Sequence, residues 1–137
     1  MATSPDYSAR PTVLLVEDDF SLLDMLGRTL ERAGFEVTTA THGVTALSLF
    51  REQDIDLVVT DILLPQMDGF ELIRRLRIES RDVPIIAISG MDDSPQFRDT
   101  AHKCGATAAL TKPITRQDLV DLARKMVGPS LTKASSS

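Results

Sequence analysis

Short apolar runs alternate with amphipathic stretches along most of the chain. The five runs are TVLLV (12–16), FEVTTA (35–40), IDLVVT (55–60), VPIIAIS (83–89) and ATAAL (106–110). Three of them are almost continuous in aliphatic residues, which is typical of strands that are covered on both faces. The runs therefore predict five strands, several of them with both faces buried.

Apolar residues at spacings of three and four predict a helix after each strand. The first helix begins near Ser21, whose pairing with Asp24 resembles a capping box, and it stops at Gly34. The second helix follows Thr41. Its predicted apolar stripe is Val44, Leu47 and Phe50.

The third and fourth helices also have recognisable ends. The third begins near Asp68, and the fourth begins at Ser94 and Pro95, an N-cap followed by proline at the first helical position. Gly105 ends the fourth helix. Its apolar stripe is thin, with Phe97, Ala101 and Cys104 as main members. We expect this helix to be the least firmly docked, as an ordinary surface helix or a mobile element.

The last helix begins at Thr115 and ends at Gly128, so strand and helix alternate five times. This alternation predicts an α/β fold, a doubly wound five-stranded parallel sheet with right-handed crossovers and helices on both faces. The polar segments 1–10 and 129–137 are expected to be flexible ends around one domain at 11–128. The sequence indicates neither an internal repeat nor a second domain.

Composition narrows the class of protein. Of the residues, 42% are hydrophobic and 26% charged, as in soluble globular domains, and the net charge of −5 disfavours binding to nucleic-acid phosphates. The single Cys104 excludes an internal disulfide and is typical of a reducing compartment. No apolar run approaches the ~20 residues of a membrane span. We therefore expect a cytoplasmic protein that binds neither a membrane nor nucleic acid directly.

Polar side chains gather where the predicted strands end. The first strand ends in Glu17 and Asp18, the third in Asp61, the fourth in Ser89, and the fifth in Lys112. Ligands of open parallel sheets bind beyond the carboxyl ends of the strands. Carboxylates packed closely repel one another unless a cation lies among them. Oxygen ligands in this number favour Mg²⁺, and the lack of a Cys/His cluster disfavours zinc.

A carboxylate held beside Mg²⁺ and a lysine is a competent nucleophile toward phosphorus. The metal and Lys112 would neutralise charge on a phosphoryl group, and Ser89 could donate a hydrogen bond to it. The residues thus predict that Asp61 is the group that becomes phosphorylated.

Four motifs carry a resemblance to a known family. LLVEDD, VVTDILLPQMDG, IIAISG and LTKPI occur in an order and at spacings that resemble the receiver domain of bacterial two-component response regulators, over about residues 11 to 128. The resemblance implies a flavodoxin-like receiver fold. It also implies a phosphorelay in which a sensor histidine kinase or histidine phosphotransfer protein donates the phosphoryl group. Such a domain would not be an enzyme acting on a separate substrate.

The resemblance also assigns roles to individual residues. Asp61 would be the phosphoacceptor and Asp18 a direct Mg²⁺ ligand, while Glu17 would act chiefly through a water and Leu63 would offer its backbone carbonyl. Asp19 corresponds to a position usually outside the direct ligands of the metal.

The remaining roles concern the phosphoryl group and its readout. Ser89 would be the switch hydroxyl and Lys112 the ammonium group, preceding a Pro113 whose peptide bond is typically cis in this family. Many such domains carry Tyr or Phe where this chain has Ala109, so the usual aromatic switch is missing. Ile114 likewise replaces a common Phe. Output to an unidentified downstream protein is then expected to run through Ser89 and the fourth helix, in a monomer or weak dimer.

Three other functions stay open at this point. A protein-binding module of the same fold that works without phosphorylation is favoured by Ala109 and opposed by the acids, Ser89 and Lys112. A phosphatase with an Asp nucleophile commonly needs a second Asp two residues on, where this chain has Leu63. A nucleotide-binding module would need a glycine-rich phosphate loop after the first strand, and that segment contains none.

Overall fold

Five strands and five helices alternate along the chain in a computed structural model that describes residues 10–90 and 95–136, with side chains to residue 128. The strands are β1 (Thr12–Val16), β2 (Glu36–Ala40), β3 (Leu57–Asp61), β4 (Ile85–Ser89) and β5 (Ala108–Thr111). The helices are α1 (Phe20–Arg32), α2 (Gly43–Glu52), α3 (Gly69–Glu79), α4 (Pro95–Cys104) and α5 (Arg116–Ser136). Every predicted strand and helix is therefore present.

The strands form one parallel sheet in the order β2-β1-β3-β4-β5. Helices α1 and α5 pack on one face, and α2, α3 and α4 pack on the other. The predicted α/β fold, a doubly wound parallel sheet with helices on both faces, is confirmed. Because strand order reverses between β1 and β3, the carboxyl ends of these two strands lie side by side at the switch point.

The three central strands form the core. In β1, β3 and β4 successive side chains point to opposite faces, and nearly all are inaccessible to solvent. Leu14 and Val58 pack against α2 and α3, whereas Leu15, Val59 and Ile86 pack against α1 and α5. Continuous aliphatic runs are what a strand with two covered faces requires.

Two sequence predictions at the helix starts are wrong. Asp19, not Ser21, caps α1: its extended backbone lets its carboxylate accept the N–H groups of Ser21 and Leu22. In α2, Val44 is 53% exposed instead of buried. Gly43 faces Met67, where an added Cβ would lie 2.9 Å from Sδ, and Gly43, Ala46 and Leu47 form the buried side of α2, which leaves Val44 on the opposite side.

Other predicted helix ends are confirmed. Asp68 accepts a hydrogen bond from the Glu71 N–H at the start of α3, and Thr115 accepts one from Asp118 at the start of α5. Gly105 follows α4 with φ +120°, a conformation that glycine adopts readily. Ser94, the predicted cap of α4, lies outside the described residues.

The helical backbone of α5 is interrupted at Gly128, with φ 73° and ψ 174°, and then continues to Ser136. The break lies at the predicted end of the last helix. The flexible tail predicted for residues 129–137 stays a prediction, and residues 1–9 lie outside the described part of the chain. Within that described part, no helix is long and apolar enough to cross a bilayer. The expected cytoplasmic location stays a prediction.

Helix α4 buries its three predicted apolar residues, Phe97, Ala101 and Cys104. The ring of Phe97 lies 6.1 Å from that of Phe70 on α3, with the planes tilted by 48°. The three predicted apolar residues thus attach α4 to the rest of the domain, and its expected weak docking stays a prediction.

Arg77 ties the end of α3 to the loop after α4. Its guanidinium donates to the carbonyls of Gly105 (2.8 Å), Ser80 (3.2 Å) and Val83, and to the hydroxyl of Thr107 (3.3 Å). Arginine can reach all four acceptors because its planar guanidinium carries five N–H donors. The sequence motifs gave no role to this residue.

We expect Arg77→Ala to lower the free energy of unfolding by about 3 kcal/mol, because several half-buried carbonyls lose their donor. Arg77→Lys should recover only part of the loss, since one ammonium cannot reach all the acceptors. Urea unfolding followed by circular dichroism measures both variants. A loss below about 1 kcal/mol for Arg77→Ala would contradict this role.

Candidate functional site

The polar residues predicted at the strand ends meet at one rim of the sheet. Glu17 and Asp18 follow β1, and Asp61 ends β3. One carboxylate oxygen from each of these three acids lies within 4.8 Å of the others. Glu17 is 1% exposed and Asp61 2% exposed, whereas Asp18 is open to solvent. The three predicted acids therefore lie together because β1 and β3 are neighbours in the sheet.

Lys112 joins two of these acids from the end of β5. Its Nζ lies 2.8 Å from Asp61 Oδ2, to which it donates a hydrogen bond, and 3.2 Å from Glu17 Oε1. Asp61 Oδ1 accepts the Leu63 N–H at 3.2 Å, and Glu17 Oε2 accepts the Asp19 N–H at 3.2 Å. Both oxygens of Asp61 are thus oriented by the protein.

Burial and crowding shift the ionisation of this cluster. The pKa of Glu17 is raised to about 7, mainly because the carboxyl group is buried and also because the charge of Asp61 lies nearby. The hydrogen bond from the Asp19 N–H and the positive charge of Lys112 lower this pKa but only partly offset the rise. For Lys112, burial by itself lowers the pKa, but the hydrogen bond and charge of Asp61 and the charge of Glu17 outweigh burial and raise it. Lys112 is therefore a firmly protonated ammonium group.

The donor set fits a hard divalent cation. Among the described residues Glu17 Oε1 is buried without a hydrogen-bond partner, and the ammonium group 3.2 Å from it, Lys112, is shared with Asp61. A single ammonium leaves three converging carboxylates with a net negative charge, which a divalent cation would compensate. Oxygen-only ligands in a partly open cluster are characteristic of Mg²⁺ sites.

Ser89 and Leu63 flank the phosphoacceptor candidate. Ser89 is 5% exposed at the end of β4, and its carbonyl accepts the Lys112 N–H at 2.8 Å. The Leu63 side chain is 70% exposed beside Asp61. The metal-ligand role predicted for the Leu63 carbonyl and the switch role of Ser89 stay predictions. The Lys112–Pro113 peptide bond is cis, as the resemblance implied.

Two residues that shape the site were missed by sequence reasoning. Thr60, fully buried, donates its hydroxyl to the Asp61 carbonyl at 3.0 Å. Gly69, at the start of α3, donates its N–H to the Ile62 carbonyl at 2.7 Å, and an added Cβ would lie 2.4 Å from the Asp61 carbonyl oxygen. The Asp-Gly pair after Asp61 was the available signal for this close approach.

Position 109, where this chain has alanine in place of the Tyr or Phe discussed above, lies at a groove between α4 and β5. Ala109 is half-buried, and Arg98 on α4 donates to its carbonyl at 3.3 Å. The groove, of about 360 Å³, is floored by alanines that include Ala106 and Ala108. The side chain of Ala109 is a single methyl group, so it cannot switch between two rotamers, as the sequence indicated.

A family model for the response regulator receiver domain matches residues 13–124. The chain belongs to the response regulator receiver family. This receiver domain resembles the chemotaxis response regulator CheY4 of Vibrio cholerae, with a TM-score of 0.81, 31% identity, and coverage of 85% of this chain and 98% of that one. The same fold occurs in the receiver domain of a histidine kinase from Syntrophus aciditrophicus, at a TM-score of 0.77 and 27% identity over 85% of this chain and 89% of that one.

Relatives of the receiver domain include longer regulators. It is 43% identical to the transcriptional regulatory protein AfsQ1 of Streptomyces coelicolor over 104 residues, which are 76% of this chain and 45% of that protein. It is 36% identical to the two-component response regulator ARR10 of Arabidopsis thaliana, across 91% of this chain and 23% of that protein. The chain thus spans half or less of these two relatives. The predicted absence of direct nucleic-acid binding stays a prediction.

Family membership carries general properties. The chain is a receiver of two-component signal transduction, which implies interaction with histidine kinases or phosphotransfer proteins. Receiver domains bind Mg²⁺ in general, and Glu17, Asp18 and Asp61 form the cluster that can hold the ion here.

Proposed function

We propose that Asp61 accepts a phosphoryl group from a phosphohistidine of a sensor histidine kinase or phosphotransfer protein, in a Mg²⁺-dependent reaction. The main support is the environment of Asp61. It is 2% exposed, is oriented through both oxygens by Leu63 and Lys112, and lies against two further carboxylates. A carboxylate held at a rim in this way is positioned to act as a nucleophile.

The proposed transfer forms one bond and breaks one. An Asp61 carboxylate oxygen attacks the phosphorus atom, and the P–N bond to the donor imidazole breaks, with its electron pair leaving on the imidazole nitrogen. The product is an acyl phosphate. The Lys112 ammonium, now 2.8 Å from Asp61 Oδ2, lies close enough to pair with a phosphoryl oxygen and to stabilise the charge that spreads over it.

Glu17, Asp18, Asp61 and the Leu63 carbonyl are the groups that would hold Mg²⁺, with Glu17 acting chiefly through a water. When bound, the ion supplies positive charge to the phosphoryl oxygens. The domain does not act on a separate substrate in this scheme, so we propose a self-modifying switch and not an enzyme.

The proposed output depends on Ser89 and α4. Ser89 ends β4 at the same rim, and a phosphoryl group on Asp61 would draw its hydroxyl as a hydrogen-bond donor. Helix α4 follows β4 and packs through Phe97, Ala101 and Cys104, with the Phe97 ring tilted against that of Phe70. A shift of α4 would change the surface offered to a downstream protein. Because position 109 is alanine, this route does not need an aromatic rotation.

The test is intact-mass spectrometry of the full chain after incubation with Mg²⁺ and acetyl phosphate. We expect one added phosphoryl group, which is absent when EDTA replaces Mg²⁺ from the start of the incubation and absent in the Asp61→Asn control. An Asp18→Asn control should shift the Mg²⁺ concentration that is required, without removing the acceptor. An adduct that persists in Asp61→Asn would place the acceptor elsewhere.

Ala109 favours a second candidate, a protein-binding module of receiver fold that works without phosphorylation. The same experiment separates the two functions. If neither acetyl phosphate nor phosphorylated histidine kinases add mass to the folded chain with Mg²⁺ present, the second candidate replaces the first.

A further inference from the structure

Thr60 immediately precedes Asp61 in β3, and its side chain is fully buried. It pairs in the sheet with Val16 of β1 and Ala87 of β4, and it points to the same face as Val58, since side chains alternate along a strand. These three neighbours belong to the apolar core under α2 and α3. Valine has nearly the shape of threonine and would fill this position without the cost of burying a hydroxyl group. Packing therefore does not explain the hydroxyl at position 60.

The hydroxyl group of Thr60 binds the backbone of Asp61. Thr60 Oγ1 donates to the Asp61 carbonyl oxygen at 3.0 Å. In an apolar core, a hydroxyl without an acceptor and a carbonyl without a donor are both costly, so each group stabilises the other. The hydrogen bond thus holds the peptide group that joins Asp61 to Ile62.

This Asp61–Ile62 peptide group is held from two further directions. At its nitrogen end, the Ile62 N–H donates to the Ile88 carbonyl at 3.0 Å. At its oxygen end, Gly69 packs so closely that an added Cβ would lie 2.4 Å from the Asp61 carbonyl oxygen. Of these three contacts, the hydrogen bond from Thr60 is the one that a side-chain substitution can remove while both backbone contacts stay.

The orientation of the same peptide group bears on the Asp61 carboxylate. The Leu63 N–H, one peptide group further along the chain, donates to Asp61 Oδ1 at 3.2 Å, and Lys112 Nζ donates to Oδ2 at 2.8 Å. Rotation of the Asp61–Ile62 peptide group would move the Leu63 N–H relative to the carboxylate that it orients. Since a displacement of about 1 Å can slow a reaction by about 10²-fold, a small rotation is enough to change the rate.

We propose that Thr60 is a positioning residue for the phosphorylation of Asp61. This inference rests on the proposed function and adds a residue to it. By holding the Asp61 carbonyl, the hydroxyl keeps the carboxylate directed at the incoming phosphorus atom, with the Leu63 N–H and the Lys112 ammonium in place. Without the hydroxyl, Asp61 is still the acceptor but reacts more slowly.

The first test compares the rates at which Thr60→Val and Thr60→Ser gain a phosphoryl group from acetyl phosphate at saturating Mg²⁺. Valine keeps the branched shape and removes the hydroxyl, whereas serine keeps the hydroxyl and removes a methyl group. We expect a rate about tenfold lower for Thr60→Val and within about twofold of the original for Thr60→Ser. A role in packing alone would give the opposite order, because serine leaves a cavity and valine does not.

Thr29→Val is the matched control for loss of a buried hydroxyl. Thr29 is 9% exposed in the second half of α1, and its hydroxyl donates to the Met25 carbonyl at 2.8 Å. We expect no change in the rate per folded molecule, with the folded fraction taken from urea unfolding. If Thr60→Val does not fold, Thr60→Ala and Thr60→Ser form a pair in which only the hydroxyl differs.

The second test does not need phosphorylation. NMR of the metal-free, ¹³C,¹⁵N-labelled full chain reports on the Asp61 carbonyl and the Leu63 amide. We expect Thr60→Val, and not Thr60→Ser, to move the Asp61 carbonyl signal upfield and to speed hydrogen exchange at the Leu63 amide.

The two tests separate this inference from the proposed function. If the original chain gains no phosphoryl group, the proposed function fails, and the NMR comparison decides whether Thr60 orients Asp61. An unchanged Leu63 amide in Thr60→Val would overturn the positioning role. The role is also overturned if Thr60→Val is phosphorylated at the original rate, or if Thr60→Ser is as slow as Thr60→Val.

Discussion

Replacing Lys112 with alanine is expected to slow phosphorylation of Asp61 by about 10²–10³-fold, the usual effect of removing one preorganised charge-stabilising donor. The ammonium is held 2.8 Å from Asp61 Oδ2, and its pKa is raised by Asp61 and Glu17 against the effect of burial. It therefore stays charged where phosphoryl oxygens would gather. Without it, two buried carboxylates also lose their cation.

The measurement is the rate of mass gain with acetyl phosphate at saturating Mg²⁺. Lys112→Arg is the matched control, because it keeps the charge but moves it, and we expect an intermediate rate. Mg²⁺ affinity, followed by calorimetry, should not fall in Lys112→Ala, since no metal ligand is removed. A variant that phosphorylates at the original rate would show that Lys112 has only a structural role.

Replacing Gly69 with alanine is expected to lower the free energy of unfolding by about 3 kcal/mol, near the upper end for overpacked sites. The added Cβ would lie 2.4 Å from the Asp61 carbonyl oxygen and 2.5 Å from Ile62 Cα. Both contacts are with backbone, which cannot rotate away as a side chain does. The end of β3 must therefore move, and Asp61 moves with it.

Two readouts separate the effects of Gly69→Ala. Urea unfolding gives the stability, and the rate of mass gain on the folded fraction gives the displacement of Asp61, for which we expect about a tenfold loss. Gly27→Ala is the matched control. Its Cβ fits at 3.9 Å from its neighbours, so it should stabilise the chain by about 0.5–1 kcal/mol. A stable, fully active Gly69→Ala variant would contradict the steric argument.

Local patterns were sufficient for the strands and for most helix ends. The run TVLLV forms β1 with the bounds predicted for it, and Asp68 and Thr115 cap the helices that they were predicted to start. These features depend on neighbouring residues alone. Burial of a continuous aliphatic run needs two covered faces, and a cap needs only an oxygen near the first N–H groups.

The errors occurred where two signals competed. Ser21 and Asp19 are both good caps, and the extended backbone of Asp19 decided in its favour. Val44 had the spacing of a buried residue, but α2 buries Gly43, Ala46 and Leu47 and leaves Val44 on the exposed side. Neither outcome can be derived from periodicity, because the first depends on the backbone conformation at Asp19 and the second on how α2 packs against other segments.

The site divides in the same way. Local patterns were enough to identify the polar residues that end the strands, since each motif places an acid, a hydroxyl or an amine directly after an apolar run. The pairing of β1 with β3, which brings Glu17 and Asp18 to Asp61, and the contact of Lys112 with an acid 51 residues away are known only from the folded chain. Strand order depends on which non-local pairings bury the most apolar surface, and no local pattern encodes that comparison.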